Sequence, residues 1–395
     1  MPEDVELPFT RPEYERRVAK VRAAMAGRGL DLLVVSDPSN MAWLTGYDGW
    51  SFYVHQAVVI GLDEDPVWWG RGQDAAGARR TVWMAEDHIT SYPDAYVQST
   101  ERHPMQHLGA RLREAGVGRA RIGVELDNYW YTAAADRALR AALPDATFAD
   151  ATALVNWQRA VKSERELAYM RRAARIVERM HDVIRAEMRP GVRKCDLVAK
   201  LTAAGIEGAD GHGGDYPAIV PLLPTGRDAA APHLTWDDRP LERGAATFFE
   251  IAGCHRRYHA PLCRTVHLGA PPPFMRDAEL ALLDGLEAGL DAARAGKRAC
   301  DVADALHATL AAAGIEREAR CGYPIGLSYP PDWGERTISF RAEDTTILEP
   351  NMTFHFMPGL WMDDWGLEIT ESIVIREHGP AECLADYPRE LMVVD

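Results

Sequence analysis

The stretch that decides the fold runs from Thr247 to Gly269 and reads TFFEIAGCHRRYHAPLCRTVHLG. Its two ends are rich in aromatic and β-branched residues, and Gly253 and the polar run after it separate them, which predicts two strands joined by a turn. Glu250 stands in the middle of the first strand. Because a buried carboxylate is costly unless it is paired or used, Glu250 is the first candidate for a functional residue.

Length, charge and cysteine content limit the function classes. The chain has 395 residues, enough for two domains, and a formal net charge of −15. Such an acidic chain is not an expected nucleic-acid-binding protein. The six cysteines form no Cys-x-x-Cys pair, and the acidic N-terminus MPEDVELPFT lacks a basic leader with an apolar core. We therefore expect a reduced, cytoplasmic protein without a membrane-inserted segment.

The order of predicted elements divides the chain near residue 160. Strand and helix patterns alternate before this point, which predicts an α/β domain over residues 1–160. Ser163 and Glu166 then form a capping-box pattern at the start of a long amphipathic helix. This helix opens the second predicted domain, residues 161–395.

The second predicted domain contains an internal repeat. The segment RPGVRKCDLVAKL from Arg189 is echoed by RAGKRACDVADAL from Arg294. The strand at Phe248 has a counterpart near Thr353 at about the same offset. The repeat predicts two αβ halves related by a pseudo-two-fold axis.

The hairpin and the repeat resemble the creatinase/prolidase/methionine-aminopeptidase family, whose hairpin carries an acid, ten residues, an Asp, two residues and then Arg-Thr. Glu250 takes the place of the acid, Pro261 takes the place of the Asp, and Arg264 with Thr265 matches the Arg-Thr pair. The resemblance implies an α+β pita-bread catalytic domain behind a creatinase-type α/β N-terminal domain. It also implies an active site in the cleft between the two halves.

The same resemblance implies where metal ligands would lie. Members with two metal ions use two Asp, one His and two Glu, and these positions fall on Glu250, Pro261, Tyr323, Met357 and either Thr370 or Glu371. A proline side chain offers no ligand, and a thioether is too soft for hard divalent ions. We therefore expect a metal-independent member with no metal ligands and no cofactor.

A separate zinc site is a weaker alternative. His255 and His259 are four residues apart, but they lack the Glu of a His-Glu-x-x-His helix and lie in a turn that enters a strand. Surface or supporting roles are favoured for both.

Glu250 and His233 are the predicted catalytic residues. The resemblance implies a His shortly before the first strand that moves protons at the scissile C–N bond, and His233 in APHLTW holds that place. Glu250 has two open roles, nucleophile on an activated carbon or base toward water. A carboxylate satisfied by backbone N–H groups or by Arg264 is the alternative without catalysis.

Aromatic strings in both predicted domains resemble those of the ectoine hydrolases, a metal-free branch of the family. GYDGWSFYVHQ, LSYPPDWGE and FHFMPGLWMDDWGLEITES place aromatic side chains in loops where packing alone does not require them. The resemblance implies hydrolysis of a ring C–N bond of ectoine, a cyclic amidine, to N-acetyl-diaminobutyrate. It also implies a homodimer, in which Trp50 and Tyr53 act in the neighbour's cleft. A deacetylase that acts on the ring-opened product is a candidate partner.

The predicted substrate-binding residues are Glu371, Glu368, Tyr323, Tyr329, Trp333, His355, Trp50, Tyr53 and Arg264. Arg71, Arg264 and Arg336 are alternatives for binding the substrate carboxylate.

Two other functions stay open. A creatinase-like amidinohydrolase acting on a linear guanidino or amide substrate would use the same carboxylates for a planar cation. A non-catalytic pita-bread module that binds a protein partner has no need of an acid and a histidine in its cleft. Glu250 and His233 therefore favour an enzyme.

Overall fold

The computed structural model describes residues 6–395, and the chain divides into two compact units, Met1–Arg159 and Ala160–Asp395. Among the described residues, no helix combines the length and the apolar character needed to cross a membrane. The six cysteines are all free thiols.

The first unit is an α/β domain with one six-stranded sheet. Its strands are β1 (Leu32–Val35), β2 (Ala57–Gly61), β3 (Val67–Arg71), β4 (Ile89–Tyr92), β5 (Arg121–Val124) and β6 (Thr147–Asp150). Its helices are α1 (Arg11–Gly27), α2 (Pro38–Thr45), α3 (Ala75–Thr81), α4 (Pro104–Glu114), α5 (Ala133–Ala142) and α6 (Leu154–Arg159). The sheet order is β4-β3-β2-β1-β5-β6. Central strand β1 reads LLVV and is buried along its whole length, as expected for a strand covered on both faces.

The second unit contains four long helices and several smaller sheets. Its helices are α7 (Glu164–Glu187), α8 (Lys194–Glu207), α9 (Pro273–Ala292) and α10 (Ala299–Ala312). Its strands are β7 (Ala246–His255), β8 (Tyr258–Leu268), β9 (Gly322–Pro324), β10 (Thr353–Phe356), β11 (Gly359–Trp361), β12 (Gly366–Glu368), β13 (Glu371–Val374), β14 (Glu382–Cys383) and β15 (Met392–Val394). The sheet orders are β15-β8-β7, β14-β13-β10-β9 and β11-β12. The sequence repeat corresponds to α8 and α10, which have 14 residues each.

Helix α7 begins at the predicted capping box. The Ser163 side chain accepts from the backbone N–H of Glu166 at 3.3 Å, and the Glu166 carboxylate accepts from the Ser163 N–H at 2.8 Å. These bonds satisfy donors that the first helical turn leaves without partners.

Strands β7 and β8 form the predicted hairpin. Every residue of both strands is buried, and Glu250 lies directly opposite Cys263. Helix α7 packs closely on the hairpin, since a Cβ added at Gly253 would lie 2.0 Å from the carbonyl oxygen of Ala173. Glycine is therefore required at this contact.

The hairpin is bonded to the segment that follows β12. The backbone N–H of Thr370 donates to the carbonyl of Cys263 at 3.1 Å, and the Thr265 hydroxyl donates to the carbonyl of Glu368 at 2.9 Å. These bonds fix the position of Glu368 beside the face of the hairpin that carries Glu250.

Candidate active site

Glu250 and Glu368 form a pair of buried carboxyl groups. Glu250 lies on β7 opposite Cys263 of β8, so the two side chains share one face of the hairpin. Glu368 ends β12 and is completely buried. Within residues 6–395, neither oxygen of Glu368 has a hydrogen-bond partner, and the Glu250 carboxylate accepts no hydrogen bond. Leaving buried acceptors without donors costs free energy, so this pair is a candidate site for a ligand that brings N–H donors.

Burial raises the pKa of both carboxyl groups. The pKa of Glu250 lies well above 4.5, first because of burial and then because of the charges of Glu368 and Asp332. Burial raises the pKa of Glu368 to about 7, although the Cys263 thiol and the Arg317 guanidinium oppose this shift. The thiol lies beside Glu368 without meeting the geometry of a hydrogen bond. The pair therefore retains a proton near neutral pH until a cation neutralises it.

A chain of hydrogen bonds lies beside the pair. The indole Nε1 of Trp333 donates to Tyr323 Oη at 2.8 Å, and this oxygen is 2.9 Å from His355 Nδ1. His355 Nε2 is in turn 2.7 Å from the Thr370 hydroxyl oxygen. His355 Nδ1 also lies 4.0 Å from Glu250 Oε1, so the chain reaches the edge of the carboxyl pair.

Burial keeps this hydrogen-bond chain uncharged. Burial, and then the nearby Arg320, lowers the pKa of His355 to about 3, so its imidazole is neutral. Burial, and then the charge of Glu250, raises the pKa of Tyr323 well above 10, so its phenol keeps its proton. The site therefore combines neutral donors with acidic groups.

The structure places Arg264 and Glu371 in a separate ion pair. Arg264 Nη2 lies 2.7 Å from Glu371 Oε1, and both side chains are almost fully buried. Arg264 uses its other N–H groups on four backbone carbonyls, those of Cys263, Thr370, Tyr387 and Pro388. Its five donors are thus already occupied by the protein. These two residues, predicted to bind substrate, instead have the geometry of a structural pair.

The other predicted residues have varied environments. His233 lies in an exposed loop. The backbone carbonyl of its neighbour Leu234 accepts the backbone N–H of Leu223. The residue before Leu223, Leu222, forms an isolated β-bridge with Glu250. Tyr329 is buried, with its ring centroid 5.6 Å from the Arg257 guanidinium.

In the first unit, Trp50 and Tyr53 are 58% and 63% exposed, and Arg71 forms an ion pair with Asp94. Arg336 of the second unit is also exposed.

The five family metal positions do not provide a metal cage. Pro261 has no side-chain donor atom, and half-buried Met357 offers only a thioether. Tyr323 and Thr370 are engaged in the hydrogen-bond chain. Among residues 6–395, Glu250 is the one carboxylate at these positions that accepts no hydrogen bond, and one carboxylate gives too few oxygen ligands for two hard divalent ions. The residues present therefore do not fit a dinuclear centre.

The two histidines with zinc-like spacing have protein partners. His259 Nε2 accepts from the Ala218 N–H at 2.8 Å, and His255 Nδ1 lies 3.0 Å from the Gly213 carbonyl. Among residues 6–395, the one group with suitably close ligand atoms is Cys300, Asp301 and Asp304. Arg298 already binds Asp301 in that group, at 2.6 Å.

Cys263 also lies in this site, although nothing in its own stretch of sequence marks it as functional. The signal was present in the repeat, because the offset that relates its two copies also relates Cys263 to Glu368. The same offset relates Glu250 to His355. The two halves thus contribute corresponding positions to one cluster.

Comparisons with known proteins agree with this architecture. The model of metallopeptidase family M24 matches residues 168–377, and that of the creatinase/prolidase N-terminal domain matches residues 17–161. An ectoine hydrolase of Halomonas elongata is 59% identical, covering 98% of this chain and 99% of that protein. An uncharacterized hydrolase/peptidase of Sinorhizobium fredii is 41% identical, covering 98% of this chain and 99% of that protein.

Solved structures share the fold. The dipeptidase PepE of Mycobacterium ulcerans has a TM-score of 0.80 at 25% identity, covering 98% of this chain and 99% of its own. A prolidase of Thermococcus sibiricus has a TM-score of 0.83 at 16% identity, covering 96% and 99%. The pita-bread fold expected from the sequence is confirmed. The chain belongs to the creatinase/prolidase branch of metallopeptidase family M24.

Proposed function

We propose that this protein is a metal-independent hydrolase that opens the ring C–N bond of ectoine, or of a closely related cyclic amidine, to give N-acetyl-diaminobutyrate. The similarity to the Halomonas elongata ectoine hydrolase extends over nearly the whole of both chains and supports this substrate class.

The observation that carries the proposal is the buried pair of Glu250 and Glu368, whose carboxyl oxygens have no hydrogen-bond donors among residues 6–395. A cyclic amidinium is a planar cation with an N–H on each ring nitrogen. Such a ligand supplies both the positive charge and the directed donors that the pair lacks. Tyr323, whose oxygen accepts the indole N–H of Trp333, lies near the pair and provides aromatic surface for the ring.

Glu250 is the acting carboxylate in this proposal. Its raised pKa makes it a stronger base than an exposed glutamate, and the bound cation favours its ionised form. It takes a proton from water as the oxygen adds to the amidine carbon. Direct attack by the carboxylate is the alternative route, and hydrolysis in ¹⁸O-labelled water distinguishes the two. Only direct attack transfers label into the Glu250 side chain during a single turnover.

Glu368 has a different role in this proposal. It binds the amidinium opposite Glu250 and shares the charge of the cation. Arg264 and Glu371 are assigned to stability, because they form a buried ion pair with each other.

The acid/base role of His233 and the roles of Trp50 and Tyr53 stay predictions from the family resemblance. His233 lies in an exposed loop, in contact with solvent. The exposed Trp50 and Tyr53 are proposed to line the cleft of a second copy in a homodimer. A cytoplasmic location and an association with a deacetylase belong to the same set of predictions.

The testing experiment is proton NMR of ectoine incubated with EDTA-treated protein, with Glu250→Gln and His233→Ala in parallel. We expect ring opening by the chelated wild type and its loss in Glu250→Gln. Loss in His233→Ala as well would support the acid/base role that the family resemblance predicts, and retained activity would place the proton donor elsewhere in the site. Creatine serves as the comparison substrate for a linear guanidino activity.

Several outcomes would contradict the proposal. Intact ectoine in the presence of folded wild-type protein rules out the substrate, and turnover of creatine instead identifies the amidinohydrolase alternative. Two tightly bound divalent ions per chain, with activity that depends on them, would rule out metal independence.

A further inference from the structure

We propose, on the basis of the ring hydrolysis above, that Tyr323 is the catalytic acid that protonates the departing ring nitrogen. The hydrogen bonds around its oxygen direct its hydroxyl hydrogen away from the protein and toward the ligand space beside Glu250. This assigns to Tyr323 the proton-donor step that the family resemblance implies for His233.

Trp333 determines one of the two hydrogen bonds at Tyr323 Oη. An indole Nε1–H is a donor only, so the 2.8 Å contact means that Tyr323 Oη accepts from Trp333. One lone pair of the phenol oxygen is thereby occupied. What the Tyr323 hydroxyl hydrogen does then depends on which nitrogen of His355 carries the proton.

The second step fixes the proton of His355 from the side of Thr370. The Thr370 hydroxyl oxygen accepts the backbone N–H of Cys263 at 2.8 Å and contacts His355 Nε2 at 2.7 Å. If Nε2 carried the proton, Thr370 would accept twice, and its own hydrogen would have no acceptor among residues 6–395. Thr370 is completely buried, so this would leave an unsatisfied donor in the interior.

The opposite tautomer leaves no such defect. The Thr370 hydroxyl then donates to His355 Nε2, and the proton of the neutral imidazole lies on Nδ1. Nδ1–H donates to Tyr323 Oη over the 2.9 Å contact. Both lone pairs of the phenol oxygen are now occupied by N–H donors, from Trp333 and from His355.

The hydroxyl hydrogen of Tyr323 must therefore point away from both neighbours. Acidic groups lie near this end of the chain, namely Glu250, Asp332 and Glu368, and Glu250 Oε1 lies 4.0 Å from His355 Nδ1. A ligand held by Glu250 would meet the free hydroxyl hydrogen. The two N–H donors also stabilise the phenolate that forms when this proton is transferred, as an oxyanion hole does.

Glu250 and Tyr323 together move the protons of the ring-opening reaction. Water adds to the amidinium carbon and gives one proton to Glu250, leaving a neutral carbon that bears a hydroxyl and two nitrogens. The C–N bond then breaks, its electron pair passes to the departing nitrogen, and that nitrogen takes the proton of Tyr323. The hydroxyl on the former amidine carbon, now cationic, returns a proton to the phenolate and becomes the amide carbonyl. The proton on Glu250 finally passes to the released amine, giving an ammonium group.

The first test measures the tautomer without any substrate. In protein labelled with ¹⁵N-histidine, the His355 signals, assigned by their absence in His355→Gln, should show a protonated Nδ1 and an unprotonated Nε2. Thr370→Val removes the donor to Nε2 and should abolish this preference. A wild-type His355 protonated on Nε2 would overturn the proposal, whatever the activity.

The second test measures turnover of ectoine by Tyr323→Phe, which removes only the hydroxyl. We expect kcat to fall by about 100-fold or more, the usual effect of losing a general acid, with KM changed less than about threefold. The matched control is Tyr258→Phe, a buried tyrosine of β8 whose hydroxyl donates to Glu166 at 2.8 Å. It lies on the other face of the hairpin and should retain wild-type kcat.

The outcomes separate this proposal from the proposed function. Wild-type ring opening with equal activity in Tyr323→Phe would refute the assignment of Tyr323 and leave the proposed function intact. Loss of activity in Tyr323→Phe together with Nδ1 protonation would support it. If the wild type does not open ectoine, the proposed function fails and the catalytic role of Tyr323 fails with it.

Discussion

Buried carboxylates lie against both faces of the β7–β8 hairpin, but their hydrogen-bond donors differ between the two faces. On one side, Glu371 Oε1 receives N–H groups from Arg264 and Arg389. On the other side, Glu250 and Glu368 receive none from the described part of the protein. Burial alone therefore does not identify a functional acid. The informative feature is a buried carboxylate whose donors must come from elsewhere.

The largest expected effect is on Glu250. Glu250→Gln keeps the size of the side chain but removes the base, so kcat should fall by about 1,000-fold or more. The melting temperature should not fall, because no protein donor depends on this carboxylate. Steady-state kinetics and thermal unfolding on the same preparation check both statements. A variant with most of its activity would place Glu250 on the structural side of the comparison.

The same substitution at Glu371 should act on stability. Glu371→Gln leaves the buried Arg264 guanidinium without its counter-charge, and breaking a buried pair in this way costs about 3–5 kcal/mol. Differential scanning calorimetry should show a clearly lower melting temperature for the second unit, while folded protein at low temperature retains its kcat. Unchanged stability with lost turnover would reverse our assignment of the two faces.

Glu368→Gln should raise the stability of the protein, and the size of this effect should depend on pH. The folded pKa of about 7 exceeds the ordinary value of 4.5. The contribution of Glu368 to the free energy of unfolding is therefore fully present below pH 4.5 and is lost as the pH rises through 7. A glutamine avoids this loss and should stabilise the protein at pH 8 by about 3 kcal/mol relative to wild type, measured against their difference at pH 4.5. Melting temperatures of both proteins at the two pH values test this. A constant difference across this range would mean that Glu368 does not titrate there.

The smallest effect is expected for Arg389. Its Nε lies 3.0 Å from Glu371 Oε1, but its side chain is 31% exposed, whereas that of Arg264 is 0% exposed. Water replaces most of what is lost, so Arg389→Gln should cost about 1 kcal/mol or less. If thermal unfolding shows a loss as large as that of Glu371→Gln, the pair is held mainly by Arg389.

Much of the fold could be predicted from sequence, because the relevant signals are local. The hairpin was visible in its strand formers and turn, and the start of α7 was visible in Ser163 and Glu166. Glu250 was visible because a charge interrupts an apolar strand. The repeat was visible as a recurring motif, and it indicated two related halves.

The environment of each candidate residue could not be predicted in the same way. Arg264 and Glu371 appeared suitable for a substrate, since sequence does not reveal that more than a hundred positions apart they meet inside the protein. Cys263 appeared to be an ordinary strand residue, although it lies opposite Glu250. The catalytic role of His233 is a prediction from the family resemblance, and the residue lies in an exposed loop. Pairings across strands depend on tertiary register, which local patterns do not contain.

The side chains of Thr370 and Tyr323 each hold two hydrogen-bond partners. This limits the substitutions that the protein can accept during evolution. An Asp at position 261 would add one possible metal ligand, but a His at position 323 would remove the partner of Trp333 and His355. A carboxylate at position 370 would replace the hydroxyl that holds the Cys263 N–H. The steps at positions 323 and 370 thus break hydrogen bonds before any ion can compensate. A route from this sequence to a dinuclear metal site therefore passes through variants that lose interior hydrogen bonds, even though the fold is shared with metallopeptidases.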